Sequence, residues 1–520
     1  MAVVQTEIPA GPQGRRRRLG VLAICSLSLF IVSMDSTIVN VALPTLQQHF
    51  HSSVSGLQWV IDSYLLVVAC LLLFSGSLGD RFGRRRIFQI GLVIFGVGSL
   101  ACSVAPTLPL LVVFRMMQAV GGSMLNPNSL SIISNVFTDN KERAGAIGVW
   151  GGVSGLSTAA GPIVGGALIE LIDYRAIFWV NVPICVLALW LTHRYVPESR
   201  SDRPRRLDAP GQVLAVVVLA TLVYGIIEGP TDGWTSAPIV ACFVVAAAGA
   251  MAFLLVESRR EQPLLELRFF RSPPFSGAAT IALLAFLILA GFLFLNTLYL
   301  QEVRGYSALL AGVAALPATV VIAVVSPLTG RLVGRSGPRL PLAAAGLFLA
   351  AGTAVLAFDL PRSNYLLLAS GYLLLGLGFG VVNPPISNTA ISGMPRSHSG
   401  VAAAVTSTAR QLGSALGVAI LGSVVTSAFH RQIASRLAHL DVPAATKTAL
   451  LHTTIGATGL GGPTGNKTVT NTVNSAFTAA SHAGWLVAVG AGVAIFVVAL
   501  ATTGPKATAR AQQAVGDLGE

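Results

Sequence analysis

Fourteen stretches of this chain are each long and apolar enough to cross a bilayer, and this repetition constrains the fold more than any single motif. A span needs about 20 predominantly apolar residues to cover about 30 Å of hydrocarbon. The runs fall at roughly 19–43, 57–79, 87–105, 109–132, 144–168, 176–195, 210–227, 236–256, 275–299, 308–328, 340–358, 365–384, 400–425 and 483–503. Segments of that length satisfy their backbone groups in lipid as helices, so the fold class is an all-α integral membrane protein. The 520 residues are 53% hydrophobic and 11% charged, against about 25% charged in a soluble domain.

The net charge of +13 does not point to nucleic acid. A polybasic binder gathers its bases on one soluble face, whereas here they sit between apolar runs. Of the 34 Lys and Arg, 25 fall in the tails and in alternate connections, while the short connections on the other side hold only Arg175, Arg304 and Arg362. Miscounting one span would invert this bias in every later loop, so the positive-inside rule predicts an even number of spans with both termini cytoplasmic. The expected location is the plasma membrane of a prokaryote.

Arg15 to Arg18 before an apolar run is superficially leader-like, but the run continues to about Leu43 without a small-x-small site, and many spans follow. It is read as the first helix. The five cysteines lie in apolar stretches without CxxC spacing, which predicts small packing residues rather than disulfides or metal ligands. One long extramembrane connection is expected over 426–482, with a short amphipathic helix on each side of Gly459 to Gly465. That stretch leads into Gly-Asn-Lys-Thr, a near miss to a phosphate-binding loop that lacks both the Gly-Lys adjacency and a preceding strand.

Four local patterns carry chemistry. After the second run comes Gly76-Ser-Leu-Gly-Asp80-Arg81-Phe-Gly83-Arg84-Arg85-Arg86, a tight turn of small residues, one acid and four bases. A weaker echo, Gly330-Arg331-Leu-Val-Gly334-Arg335-Ser-Gly337-Pro-Arg339, follows the tenth run with glycine in place of the acid. The fourth run places Arg115 and Gln118 among apolar residues, and the fifth carries Gly161-Pro162-Ile-Val-Gly165-Gly166. Among the acids, only Asp35 and Asp62 lie well inside predicted spans, with Glu228 at a helix end. An ionised carboxylate at mid-bilayer costs about 2.5–3.5 kcal/mol on insertion scales, so each needs a functional or pairing reason. Burial disfavours the charged form of a carboxyl, which suits a proton carrier. A structural ion pair with Arg115 is the competing reading, more so for Asp62 than for Asp35.

These patterns resemble motifs A, B and C of the major facilitator superfamily. Met34-Asp35-Ser-Thr-Ile-Val-Asn40, Gln58-Trp59-Val-Ile-Asp62-Ser-Tyr64, Phe178-Trp-Val-Asn181-Val-Pro183, Asp208-Ala-Pro-Gly211, Tyr299-Leu-Gln301 and Arg410-Gln411-Leu-Gly413 are similar to segments of its fourteen-helix drug:proton antiporter family 2. The resemblance implies two six-helix bundles, 19–200 and 261–503, with an inserted helix pair at 201–260 and cytoplasmic tails at 1–18 and 504–520. It implies a proton-coupled exporter of hydrophobic, cationic small molecules by alternating access: a monomer in the lipid bilayer that uses the proton gradient, with no cofactor and no catalytic residue. A dedicated exporter of one metabolite and a non-transporting sensor or scaffold are the alternatives. In this family Asp80 would pair with an arginine of its turn near a helix N-terminus and lock one conformation, with Gly76, Arg81, Gly83 and Arg84 completing the gate. Arg115 would serve proton coupling, with Ala119 standing where the family has glycine. Gly161, Pro162, Gly165 and Gly166 would form the antiporter motif. Asp35 and Asp62 would be the proton and cation sites. Asn40, Trp59, Tyr64, Gln118, Phe292, Asn296, Arg410 and Gln411 are candidates for the cavity wall, and Phe294 and Tyr299 are further aromatic candidates.

Overall fold

The computed structural model describes residues 12–201, 208–260, 265, 267–358, 364–392, 399–437 and 467–504. Its spans, in chain order, are α1 Pro12–Phe50, α2 Val54–Phe82, α3 Arg84–Ser103, α4 Leu108–Val136, α5 Asn140–Leu171 and α6 Ala176–Tyr195. The second part of the chain contributes α7 Ala209–Asp232, α8 Ala237–Arg259, α9 Pro273–Leu298, α10 Ala308–Arg335, α11 Arg339–Ala357, α12 Tyr365–Ser392, α13 Ser399–Leu437 and α14 Lys467–Thr502. By length and composition thirteen of these helices can cross a membrane, and α5 makes fourteen when its two halves, bent by 41° between Thr158 and Ala160, count as one span. Pro162 accounts for the bend, because it cannot donate to the carbonyl four residues earlier, at Thr158.

Local chemistry sets the helix ends. Ser53, Asp208 and Ser307 each accept a backbone N–H at the start of α2, α7 and α10, satisfying donors that the helix leaves unpaired. Gly83 and Gly337 close α2 and α10 with φ of 109° and 76°, a region where a side chain is strained. Each stands three residues after the position that is Asp80 in the first motif and Gly334 in its echo. The two turns are thus the same device, once with the acid and once without.

The two halves repeat. Within the first, α1 packs on α5, α2 on α4, α3 on α4 and α6; within the second, α9 packs on α13, α10 on α12, α11 on α12 and α14. Adding eight to each helix number converts one set into the other, the internal symmetry typical of transporter folds. The halves meet where α2 crosses α13 and α5 crosses α10, again partners under the same shift, and where α1 touches α9. The pair α7–α8 lies outside this scheme. In the most apolar window of each helix, 28% of α7 and 17% of α8 is buried, against 72% of α2.

Several expected boundaries move. Helix α1 begins at Pro12, so Arg15 to Arg18 are the first turns of a helix rather than a separate tail. The long connection is shorter than expected: α13 runs on to Leu437 and α14 starts at Lys467. Among the described residues its flanks, up to Leu437 and from Lys467, are helical as extensions of the spanning helices, and the rest of the two expected short helices lies outside the described residues. Hydropathy marks only the part of a helix that sits in hydrocarbon, while the hydrogen-bond ladder can continue into water. Gly459 to Gly465 and the phosphate-loop near miss lie outside the described residues, except that Lys467 and Thr468 begin α14.

Candidate functional site

A cavity of about 1720 Å³ lies between the halves. Its walls include Asn40 of α1, Gly76 and Asp80 near the end of α2, Arg84 at the start of α3, Pro162 of α5, Phe292 of α9, and Arg410 and Gln411 of α13. It opens at the end that carries the α2–α3 turn, because Ser134 and Asn135 at the end of α4 and Gly330 near the end of α10 line the same space.

The opposite end is shut by contacts between the halves. Gln58 of α2 donates through Nε2 to the carbonyls of Val418 and Ala419 on α13, at 3.0 and 3.2 Å. Gln301, in a π-turn that extends α9, donates to the Val41 carbonyl of α1 at 2.9 Å. Glu170 of α5 accepts the Leu309 N–H of α10 at 2.8 Å. Gly166 lets α5 and α10 approach so closely that an added Cβ would lie 2.6 Å from the Ala308 carbonyl oxygen. The four motif residues divide their work. Gly161 and Gly165 pack on Thr37 and Ile38 of α1 inside one half, while Gly166 and the Pro162 carbonyl meet α10 of the other.

Beside the cavity, and not lining it, lies a buried polar centre. Asp35 and Arg115 are 0% and 1% exposed and paired at 2.6 Å. Asp35 Oδ1 also accepts from Gln118 Nε2 at 2.8 Å and from Asn181 Nδ2 at 2.9 Å. Both amides donate in turn to Ser99 Oγ at 3.0 Å. Arg115 donates to Gln118 Oε1 at 2.7 Å and to the Val60 carbonyl at 3.3 Å, and its guanidinium lies 4.2 Å from the Tyr64 ring centroid. Five of the six helices of one half converge here. A buried pair survives in such surroundings because neighbouring hydrogen bonds offset the desolvation of both charges. Its logic is local to α1: Ser33, Ser36, Thr37 and Asn40 face the cavity, while Asp35 faces α3, α4 and α6.

This geometry revises the expected roles. Arg115 is paired, but with Asp35 and not with Asp62. Asp62 is fully buried and neither carboxyl oxygen has a hydrogen-bond partner, so charge there would be uncompensated. Of the candidate wall residues, Asn40, Phe292, Arg410 and Gln411 line the cavity, whereas Trp59, Tyr64, Gln118 and Asn296 do not. Trp59 Nε1 donates to Glu228 at 2.7 Å and its ring lies 5.9 Å from Tyr224, fastening α7 to α2. Asn296 accepts from the Tyr372 hydroxyl at 2.5 Å inside the second half. Phe294 is core, and Tyr299 sits beneath Arg304. The aromatic wall is instead Phe74, Trp150, Phe286, Phe292 and Phe379. Asn181 and Ser99 were not named as site residues from the sequence. An amide inside the apolar run from Phe178 to Pro183 was the available signal, since a buried amide needs partners.

In the motif A turn, Asp80 accepts from Arg84 at 3.1 and 2.8 Å, both within the turn and half-exposed at the cavity mouth. Arg81 points outward beside Phe82. A pair so placed contributes at most about 1 kcal/mol. Asp80→Asn is therefore expected to leave insertion and melting temperature near wild type while slowing transport several-fold. Wild-type export by this variant, measured at matched abundance, would reduce the motif to a topology signal.

Two like halves around a cavity open at one end and shut at the other define a membrane transporter of the alternating-access class. The model of the Major Facilitator Superfamily matches residues 25–418, and the chain belongs to that family. Among curated relatives, "Multidrug resistance protein Stp" of Mycobacterium tuberculosis is 39% identical over 412 residues, 79% of this chain and 76% of the relative. "Tetracenomycin C resistance and export protein" of Streptomyces glaucescens is 36% identical over 434 residues, 82% of this chain and 80% of the relative. Among solved structures, a bacterial homolog of the human lysosomal transporter Spinster, in an inward-facing and unoccupied conformation, aligns with a TM-score of 0.67. That alignment covers 96% of this chain and 98% of the other at 18% identity, and shows the fold.

Proposed function

We propose that the chain exports hydrophobic small molecules of the drug or antibiotic type in exchange for protons, as a monomeric member of the drug:proton antiporter family 2. The observation that carries this reading is the arrangement of α1, which presents polar side chains to the cavity on one face and Asp35 to a buried arginine on the other. A proton arriving on Asp35 cancels one partner of the Arg115 pair. The hydrogen bonds around it must then reorganise, and α1 transmits that change to the cavity wall and to its contact with Gln301. The relatives' names support efflux. The distribution of Lys and Arg supports a plasma-membrane orientation with both termini and the open end of the cavity in the cytoplasm. The proton gradient is the energy source and no cofactor takes part; each charge moved is worth about 2.3 kcal/mol per 100 mV.

The cavity exceeds the roughly 300–1,000 Å³ of ordinary ligand pockets, which favours a broad substrate range over a dedicated exporter of one metabolite. The expectation of a cationic cargo came from the family resemblance, and the two acids it assigned to protons and cations, Asp35 and Asp62, do not line the cavity. Everted membrane vesicles containing the protein should accumulate lipophilic dyes when a proton gradient is imposed, and a protonophore should release them. Accumulation that is indifferent to the protonophore, or absent for every member of a broad panel, would overturn the reading.

A further inference from the structure

The charged residues lining the cavity bear on what it carries. Among the described residues they are Asp80, Arg84, Asp208 and Arg410. Three of these are neutralised. Asp80 is paired with Arg84 at 2.8 Å, and Asp208 with Arg260 at 3.3 Å while also capping α7. Arg410 is different: no carboxylate among the described residues pairs with it. One Nη donates to Ser387 Oγ at 3.0 Å, and the guanidinium lies 5.5 Å from the Phe286 ring centroid. Its Nε is shielded from solvent and has no hydrogen-bond partner. A guanidinium that lines a cavity without a carboxylate partner among the described residues marks a place for a ligand acceptor.

We infer that Arg410 is a substrate-binding residue, and that the cavity takes lipophilic molecules bearing one acidic group, a carboxylate or an ionised phenol or enol, in preference to lipophilic cations. This rests on the export reading above and names its substrate class. A guanidinium offers a planar fork that matches a carboxylate through two parallel hydrogen bonds, and that of Arg410 stands in the cavity wall with only Ser387 Oγ as a hydrogen-bond acceptor among the described residues. Phe286, Phe292 and Phe379 supply the apolar surface for the rest of such a molecule. Gln411, Ser407 and Ser414 on the same helix face add neutral hydrogen-bonding groups. The nearby acids do not reverse the sign: Asp35 is held by Arg115 away from the cavity, and Asp62 does not line it. A single uncompensated positive charge on the cavity wall attracts an anion and repels a cation, and the two acids among the described lining residues, Asp80 and Asp208, are each held by another arginine. The consequence for energetics is a sign. At one proton per molecule, exchanging an anion for an entering proton moves two elementary charges, whereas exchanging a monovalent cation moves none, so membrane potential alone should drive export of acidic substrates.

The test is equilibrium dialysis of the purified, detergent-solubilised full chain against three aromatic probes, with empty detergent as the blank. These are 8-anilinonaphthalene-1-sulfonate as anion, N-phenyl-1-naphthylamine as its neutral counterpart, and ethidium as cation. The wild-type protein should bind the sulfonate at least tenfold more tightly than ethidium. Arg410→Gln should weaken sulfonate binding at least tenfold while holding the neutral probe within twofold, which also reports that the fold is intact. Ser414→Glu places a carboxylate one turn away, where it can occupy the guanidinium, and should erase the preference without removing Arg410. Ethidium binding as tightly as the sulfonate, or sulfonate affinity that survives both substitutions, would overturn the inference. Binding is read without membrane or gradient, so a failure of proton-driven accumulation in vesicles would strike the export reading alone.

Discussion

Asp35→Asn is expected to reduce proton-driven export to background while the protein still reaches the membrane. The amide keeps the size of the carboxyl and can still accept a bond from Gln118 or Asn181, but it can neither hold nor release a proton. It also leaves the Arg115 guanidinium buried without a counter-charge, a loss that costs about 3–5 kcal/mol when one partner of a buried pair is removed. The single substitution should therefore lower the melting temperature of the solubilised protein as well as abolish export. Combining it with Arg115→Gln removes the orphaned charge and should recover much of the thermal stability without recovering export. That separation distinguishes a coupling role from a structural one. Gradient-driven export by Asp35→Asn, or export rescued together with stability in the double variant, would place proton coupling elsewhere.

The second large effect is expected at Gly166, where the two halves touch. Added side-chain atoms there meet the Ala308 carbonyl oxygen at 2.6 Å and the Leu309 Cα at 2.6 Å. These are backbone atoms, which cannot swing aside as a flexible side chain can. Gly166→Leu must hold α5 and α10 apart at the end that is now shut, so the conformation seen here becomes inaccessible. Transport should fall more than tenfold, and a cysteine placed at Ser36 in a cysteine-free background should react with thiol reagents from the outer side only. Gly161 is crowded by Thr37 of the same half, so a bulky residue there should weaken the fold rather than bias the gate. Gly145, with nothing within 4 Å of a built Cβ, should accept alanine silently. Normal turnover of Gly166→Leu would mean that this seam does not close during the cycle.

Much of this architecture is legible in the chain because a membrane span is a local property. Each apolar run satisfies its own backbone and meets lipid on its own account, so the number of spans, the doubled turn at Gly83 and Gly337, and the ionisable residues inside spans follow from neighbours in sequence. The ends of the helices were less legible, as α1, α13 and α14 show, since hydropathy stops at the edge of the hydrocarbon while the helix does not. Sequence also singled out Asp35, Asp62 and Arg115 as ionisable residues inside apolar spans that need a reason, and offered Arg410 as a candidate for the cavity wall.

What the sequence could not decide is which partner each of them has. Asp35, Ser99, Arg115, Gln118 and Asn181 come from four helices, and whether a side chain turns to the cavity, to a neighbour or to the other half depends on how those helices are rotated against each other. Hydropathy is nearly blind to rotation in a chain whose helices are apolar on almost every face, because lipid and protein interior differ little in polarity. Only tertiary packing could show that Arg115 belongs to Asp35, that Trp59 belongs to the inserted helix, and that Arg410 alone among the described lining residues keeps an unpaired charge.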